Sequence, residues 1–416
     1  MNMSGVIRVH SKFIVNQLFR DYYASKNLDV ISPSMMNKRE FGFLSFDNVM
    51  IRHKSFLNKN ELFSFLREFV PADAYYSCAY YENPQANMDA KGWLGADLIF
   101  DIDADHIPTP CGKTHDEWTC IGCGFSGKGI TPEKCPVCGK AKFETKTWPC
   151  EVCLETAKKE ATKLLDMLIQ DFGLSDKEIQ VFFSGHRGYH VHVESQAIRA
   201  LDSVSRKEIV DYVSGLGFDV AFYGLYKGKS KKHFHSTFLN ISGWRKRLVS
   251  GLLNFIFNAK AEDFKKLGIK ANIGQSIFSN KDLILKTLSE KGELGLIKNV
   301  GVKTWKKIVE HIVKVQSAKI DTVVTTDIHR LIRLPGTLNS KTGLKKVGFP
   351  LSAMDDFDPF KHGIAFRKGA LRVFVFSAPA FRIGSEVFGP YINQRVELPT
   401  AAAVFLVCKD RAKVVE

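Results

Sequence analysis

The chain has 416 residues, 45% of them hydrophobic, and a formal net charge of +15 from 59 Lys and Arg against 44 Asp and Glu, which is too apolar for a disordered protein and enough for a large packed core with appended modules. The basic excess points to a polyanionic partner such as nucleic acid. No apolar run approaches the length of a membrane-spanning helix, and residues 1–9 lack the pattern of a secretory leader, so the expectation is a cytoplasmic protein with no membrane partner and with reduced cysteines.

In chain order, residues 11–23 carry Phe13, Leu18 and Tyr22 at helical spacing. F-G-F-L-S-F (41–46) and V-M-I-R-H (49–53) predict paired strands around a turn at Asp47-Asn48. A helix over 60–69 and a strand near 74–80 follow. This is an α/β beginning.

The stretch D-L-I-F-D-I-D-A-D-H, residues 97–106, places Asp101, Asp103 and Asp105 two apart. On a strand these carboxylates share one face, while Leu98, Phe100 and Ile102 point into a core. Carboxylates fixed side by side repel unless a divalent cation sits among them, an arrangement suited to metal-assisted phosphoryl transfer. Solvated aspartates on an edge strand are the plainer alternative.

Of nine cysteines, seven lie between Cys111 and Cys153, with Cys78 and Cys408 apart. Residues 107–153 are rich in Gly, Pro and Cys and lack the periodicity of a packed element, so this segment needs zinc to be ordered. Cys120-x-x-Cys123 and Cys135-x-x-Cys138 are paired knuckles for a four-cysteine structural zinc site. Cys111, Cys150, Cys153 and a histidine, His115 or the competing His106, would close a second. With every position filled by protein, such a zinc is structural.

Helical spacing of Leu154, Ala157, Ala161, Leu164, Leu165, Leu168 and Phe172 predicts a helix stopped at Gly173. F-F-S-G-H-R-G-Y-H-V-H-V, 182–193, reads as strand, tight turn, strand, with Gly185 and Gly188 allowing close approach of a ligand. Ser184, Arg187 and His190 surround that turn with donors suited to phosphate oxygens, whereas His192 reads as a core or surface residue. Residues 248–318 are helical in pattern, with breaks at Gly268, Gly292, Gly295 and Gly301. Residues 321–344 return to strand-like composition and supply Asp321, Arg333 and Lys341. A final strand covers 371–376.

In this order, D-I-D-A-D, a zinc segment, S-G-H-R-G-Y-H, then a late aspartate before R-L-I-R-L-P and K-T-G resemble the catalytic small subunit of archaeal and eukaryotic DNA primases, the archaeal form more closely. R-E-F-G-F (39–43) and R-H-K-S-F (52–56) also look like family motifs. The resemblance runs from about residue 10 to the C-terminal L-P-T-A-A-A-V-F-L-V. It implies the archaeo-eukaryotic primase fold, an α/β architecture with a mixed sheet flanked by helices. Residues 1–416 would form the catalytic domain, with a zinc-binding insertion (107–153) and a helical subdomain (248–318).

The resemblance further implies that Asp101, Asp103 and Asp321 hold two catalytic ions, Mg²⁺ or Mn²⁺, beside one or two structural Zn²⁺. Ser184, Arg187, His190, Arg333 and Lys341 would contact the incoming triphosphate, and His186 stands where members carry Arg or His. Glu40 and Arg52 match residues near the site. Many members read L-H-G-K or L-H-S-K where this chain has Leu338-Asn339-Ser340-Lys341, which puts the phosphate role of Asn339 in doubt.

The implied activity is template-directed synthesis of short RNA primers on single-stranded DNA. The substrates would be ribonucleoside triphosphates, with deoxyribonucleoside triphosphates as the alternative, and the product an RNA primer/DNA hybrid. The implied partner is a large subunit with an iron-sulfur cluster that this chain, with two cysteines left over, does not hold. Lys227 to Lys232 and Trp244 to Arg247 are candidate template contacts. A repair polymerase of the same superfamily would share the aspartates but fail to join two free nucleotides. A non-catalytic zinc-ribbon DNA-binding protein would incorporate nothing.

Overall fold

A computed structural model describes residues 3–25, 28, 30–217, 242–291, 297–298 and 300–415. The basic stretch 227–232 and the glycines at 292 and 295 lie outside the described residues. The chain divides into two compact units, one of Met1–Thr162, Ser175–Lys207 and Ile320–Glu416, the other of Lys163–Leu174 and Glu208–Lys319.

The first unit is built on antiparallel sheets. One has the order Leu331–Arg333, Asp73–Ser77, Phe41–Leu44, Met50–Lys54. Phe41 and Phe43, two apart on their strand, enter its core. Asn48 takes φ 60° at the expected turn, a conformation that asparagine tolerates. The helix Met3–Ala24, longer than the predicted 11–23, contributes Val15, Phe19 and Tyr23 at four-residue intervals to the same core. The strand predicted near 74–80 is two, Asp73–Ser77 and Ala79–Tyr81, because at Cys78 the backbone changes partners: its N–H donates to Arg330 O and its carbonyl accepts from Asp97 N.

The second sheet has the order Val347–Phe349, Ile179–Phe183, Gly188–Val193, Leu98–Asp103. Every strand pairing among the described residues is antiparallel, which corrects the expected mixed sheet. The short link from Phe183 to Gly188 allows only an antiparallel return, since a parallel one needs a crossover of roughly a dozen residues or more. A third sheet, Tyr391–Pro399, Ala370–Ala378, Ala412–Val414, lies with the helix Thr400–Cys408.

Two other expectations are corrected. Residues 321–344 open on a short helix, Thr322–Thr326, and contain one brief strand, Leu331–Arg333. The Asp321 carboxylate accepts from Val323 N at 3.0 Å and starts that helix, a capping effect that outweighs the β-branched composition. The cysteine-rich insertion does hold packed structure: Glu117–Cys120 pairs with Ser126–Lys128 and Phe143–Lys146, and Trp118 sits against Phe125 and Phe143. Elements of three or four residues are too short to show a period.

The helix Glu151–Gln170 buries the predicted stripe except Phe172, which lies beyond its end and is exposed, and Gly173 takes φ 70°. The second unit is helical, with Leu248, Leu252 and Ile256 of Gly243–Asn258 buried, as are Ile308, Val309 and Ile312 of Val302–Gln316. Trp244 and Arg247 serve inside this unit rather than as free template contacts. The indole donates to Tyr212 O at 2.9 Å, and the guanidinium pairs with Asp171 at 2.6 Å and Asp166 at 2.7 Å. No helix among the described residues is long and apolar enough to cross a membrane.

Candidate active site

The strand Leu98–Asp103 buries Leu98, Phe100 and Ile102 and leaves Asp101 and Asp103 half-buried on the opposite face. That face borders a cavity of about 510 Å³ lined by Asp101, Asp103 and Asp105 together with Ser184, His186, His190, Arg330, Arg333 and Lys341. Both four-stranded sheets contribute to its walls. Carboxylates and cationic or neutral nitrogen donors lining one cavity suit a metal-bound polyphosphate.

The strand ends at Asp103, so Asp105 belongs to the following turn. There its N–H donates to Asp103 Oδ1 at 2.9 Å. Gly188 lies directly opposite Asp103 in the register, and a Cβ on it would stand 2.0 Å from Ile102 O, so only glycine lets the two strands close at this point. At the hairpin tip Gly185 has φ 80°, and Ser184 Oγ accepts from His186 N at 3.2 Å and Gly188 N at 3.3 Å. Ser184 therefore shapes the turn that presents His186.

Burial, then the neighbouring charges of Asp103 and Asp321, push Asp101 up to about 8. Burial and Asp103 push Asp105 up to about 6. Burial would raise Asp103 too, but His186, the Asp105 N–H and Arg187 outweigh it and hold this carboxyl below the usual range. His186 is brought down to about 4, mainly by burial, against the pull of Asp103 and with Lys409 reinforcing it. Burial with Lys346 and Arg333 nearby drives His190 well below its ordinary value. Near pH 7, with no cation bound, both imidazoles are neutral, Asp103 is ionised and Asp101 keeps its proton.

Among the described residues Asp101, Asp103 and Asp321 do not form a set with donor atoms all within 4.8 Å, although Asp321 is near enough for its charge to raise Asp101. Asp101 and Asp103 adjoin on their strand, and Asp321 N donates to Asp101 O at 2.8 Å, but the Asp321 carboxylate caps its helix and stands 4.0 Å from His106 Nε2. Donor atoms of Asp103, Asp105 and His186 instead lie within 4.8 Å of one another, a spacing that a single cation can bridge. Asp105 was readable in the D-I-D-A-D alternation, although the family resemblance passes over it.

Arg187 requires a correction. It does not line the cavity. Its guanidinium is fully buried, bonded to Asp116 at 2.9 and 3.0 Å, Asp105 at 2.6 Å and Cys153 Sγ at 3.2 Å, because residues alternate along the hairpin and Arg187 takes the face away from His186. Arg333 borders the cavity, but its guanidinium is held by Asp73 and by Leu338 O. Lys341 is exposed on a turn in which Asn339 Oδ1 accepts from Lys341 N at 2.9 Å. Asn339 is thus a turn former.

Glu40 is fully buried away from the cavity, paired with Arg52 at 2.9 Å and Lys91 at 3.2 Å. His192 is buried between Tyr76 (3.1 Å) and Lys346 (3.3 Å), as its core reading anticipated. Sequence reasoning missed Arg330 on the cavity wall and Lys409, whose Nζ stands 3.2 Å from His186 Nε2. Lys409 directly follows a strongly apolar helix near the C-terminus, with no motif around it.

The cysteines form the two sets expected, Cys111/His115/Cys150/Cys153 and Cys120/Cys123/Cys135/Cys138. Sγ···Sγ separations of 3.3–3.6 Å exceed a disulfide's ~2.05 Å and approach the roughly 3.7 Å edge of a tetrahedron with Zn–S bonds of about 2.3 Å. His115 Nε2 is 3.6 Å from Cys153 Sγ, while His106 lies outside the set. Both sets suit zinc.

A family profile described as DNA primase small subunit matches residues 144–353. The chain is 33% identical over 396 residues to the protein named DNA primase small subunit PriS of Nitrosopumilus maritimus, covering 95% of this chain and 96% of that one. It is 32% identical to the protein of the same name from Cenarchaeum symbiosum, with 97% and 99% covered. Against that of Methanococcoides burtonii the identity is 31%, with 97% and 98% covered.

Proposed function

This chain belongs to the DNA primase small-subunit family, and from that premise we propose that the aspartate cavity is where it joins nucleotides. Its role is that of the catalytic subunit of a DNA primase in replication, a nucleotidyltransferase that makes RNA primers. Membership carries metal-dependent catalysis, DNA and nucleoside triphosphates as substrates, and a larger partner subunit. The observation that carries the assignment is that Asp101, Asp103 and Asp105 line one cavity of about 510 Å³ together with His186, His190, Arg330 and Lys341.

Two divalent cations, Mg²⁺ or Mn²⁺, held by Asp101, Asp103 and Asp321 would activate the attacking 3′-hydroxyl and offset charge on the leaving pyrophosphate. Asp105 and His186 extend that donor set. Lys341 and Arg330 hold the triphosphate by charge, and neutral His190, beside Asp101, offers it a hydrogen bond. Ser184 and Arg333 shape the walls, one through the hairpin turn and the other through Asp73. The template is single-stranded DNA, and the product is an RNA primer/DNA hybrid.

We read the sheets that wall the cavity as the archaeo-eukaryotic primase fold, residues 107–153 as its zinc-binding insertion, and residues 248–318 as a helical subdomain. Zn²⁺ in the two cysteine sets is structural, and the larger subunit completes a heterodimer. The test is labelled nucleotide incorporation on unprimed single-stranded DNA with Mg²⁺ or Mn²⁺, comparing the chain with Asp103→Ala. Products started from free nucleotides and lost in the variant support the reading. Products that require a supplied primer would favour a gap-filling polymerase, and DNA binding without incorporation a non-catalytic protein.

A further inference from the structure

Arg187 lies where two structural problems meet. Its side chain is fully buried and reaches both the proximal cysteine set and the turn that follows the aspartate strand. Nη2 donates to Asp116 Oδ2 at 2.9 Å and to Cys153 Sγ at 3.2 Å, while Nη1 donates to Asp116 Oδ1 at 3.0 Å and Asp105 Oδ1 at 2.6 Å. Asp116 is shared in turn: Oδ1 also faces His115 Nδ1 at 2.8 Å and accepts from Trp148 N at 3.1 Å. This leaves His115 Nε2 turned toward Cys153.

We propose that Arg187 is a positioning residue that, with Asp116, ties the Cys111/His115/Cys150/Cys153 set to the Asp103–Asp105 turn, so that an intact zinc site sets the affinity of the carboxylates for a divalent cation. The proposal rests on the cavity reading above. A histidine ligand held by a carboxylate is a common outer-sphere device, and loss of such partners typically weakens a metal site about 10–100-fold. Here one carboxylate and one guanidinium serve two sites at once. From Cys153 and His115 the connection runs through Asp116 and Arg187 to Asp105, and Asp105 N fixes Asp103 Oδ1 at 2.9 Å.

The geometry explains why arginine is required. A planar fork can bridge two carboxylates and a sulfur at once, whereas an ammonium supplies similar charge without that shape. The distal set offers a built-in control, because among the described residues no hydrogen bond joins Cys120, Cys123, Cys135 or Cys138 to Arg187 or Asp105.

The test is a Mn²⁺ titration of the full chain, with free Mn²⁺ read by electron paramagnetic resonance, zinc content by elemental analysis and folding by thermal melting. Arg187→Gln, Arg187→Lys and Asp116→Asn should each bind Mn²⁺ about tenfold more weakly, while Cys123→Ser, which opens only the distal set, should stay within about twofold of the unaltered chain. If Arg187→Gln does not fold, the nearly isosteric Asp116→Asn carries the comparison. Unchanged affinity in a folded Arg187→Gln or Asp116→Asn overturns the coupling, as does full rescue by lysine, which would reduce the role to charge. An equal loss in Cys123→Ser overturns it in favour of general loosening. If the unaltered chain shows no Mn²⁺ site that Asp103→Ala removes, the cavity reading falls together with the proposal.

Discussion

Asp101 and His190 are directly paired across adjacent strands, with Oδ1 and Nε2 3.6 Å apart. Neither completes the other's charge, because burial keeps the imidazole neutral while burial, Asp103 and Asp321 push the carboxyl up to about 8.

Without added divalent cation, folded Asp101 therefore keeps a proton that the unfolded chain loses near its ordinary 3.8. A folded value above the unfolded one means stability that is fully present below the unfolded value and lost as pH rises through the folded one. The melting temperature should fall from about pH 4 to about pH 8, and Asp101→Asn should flatten that fall. Thermal melts across pH check this, and an equally steep fall in the variant would assign the effect to other groups.

Gly188→Ala should be among the most damaging single-methyl additions in the chain. Its Cβ would meet Ile102 O at 2.0 Å, which is backbone and has no rotamer to yield. We expect a loss of about 3 kcal/mol, the upper part of the usual overpacking range. Urea denaturation measures it.

Arg39 and Asp97 form a buried pair at 2.6 Å. Asp97→Ala should cost about 3–5 kcal/mol by stranding the guanidinium, while replacing both partners with apolar residues of similar volume should recover most of it. Denaturant midpoints for the single and double variants decide the point.

At the cavity rim, Lys341→Ala should raise the KM for nucleoside triphosphate about tenfold with a small change in kcat, since a charge-assisted hydrogen bond contributes roughly 1.5–3 kcal/mol. Asn339→Ala should move KM the same way by releasing the turn. Asn339→Asp keeps the oxygen that accepts from Lys341 N and should stay close to the parent. Steady-state incorporation kinetics separate a turn role from a direct phosphate contact, which aspartate would abolish.

What was legible in the sequence was carried by local pattern. The alternation from Asp97 to Asp105 locates the cavity's acidic wall, the Cys-x-x-Cys spacings sort the ligands, and the glycines of the hairpin mark its turn. What was not legible depends on partners distant in the chain. Arg187 reads as a phosphate donor until Asp116, 71 positions away, is seen to hold it. Asp321 reads as part of a strand until its carboxylate is seen capping a helix. Lys409 had no pattern of its own, and its place beside His186 exists only after folding. The start of the helical unit at Lys163 was hidden because one continuous helix crosses that boundary.

The first unit is assembled from three separate stretches of chain, and each supplies part of the cavity: the aspartates from the first, His186 and His190 from the second, Arg330, Arg333 and Lys341 from the last. During synthesis the carboxylates emerge from the ribosome more than two hundred residues before the cations that line the same cavity. At about 5–20 residues per second this leaves an interval of roughly ten seconds or more in which the nascent chain carries the aspartates without those cations. The sheet Leu331–Arg333 joins has to wait for the same late segment, so closure of these long loops should be slow. In the growing polypeptide the aspartates therefore gain Arg330, Arg333 and Lys341 as neighbours only once the third stretch has been made.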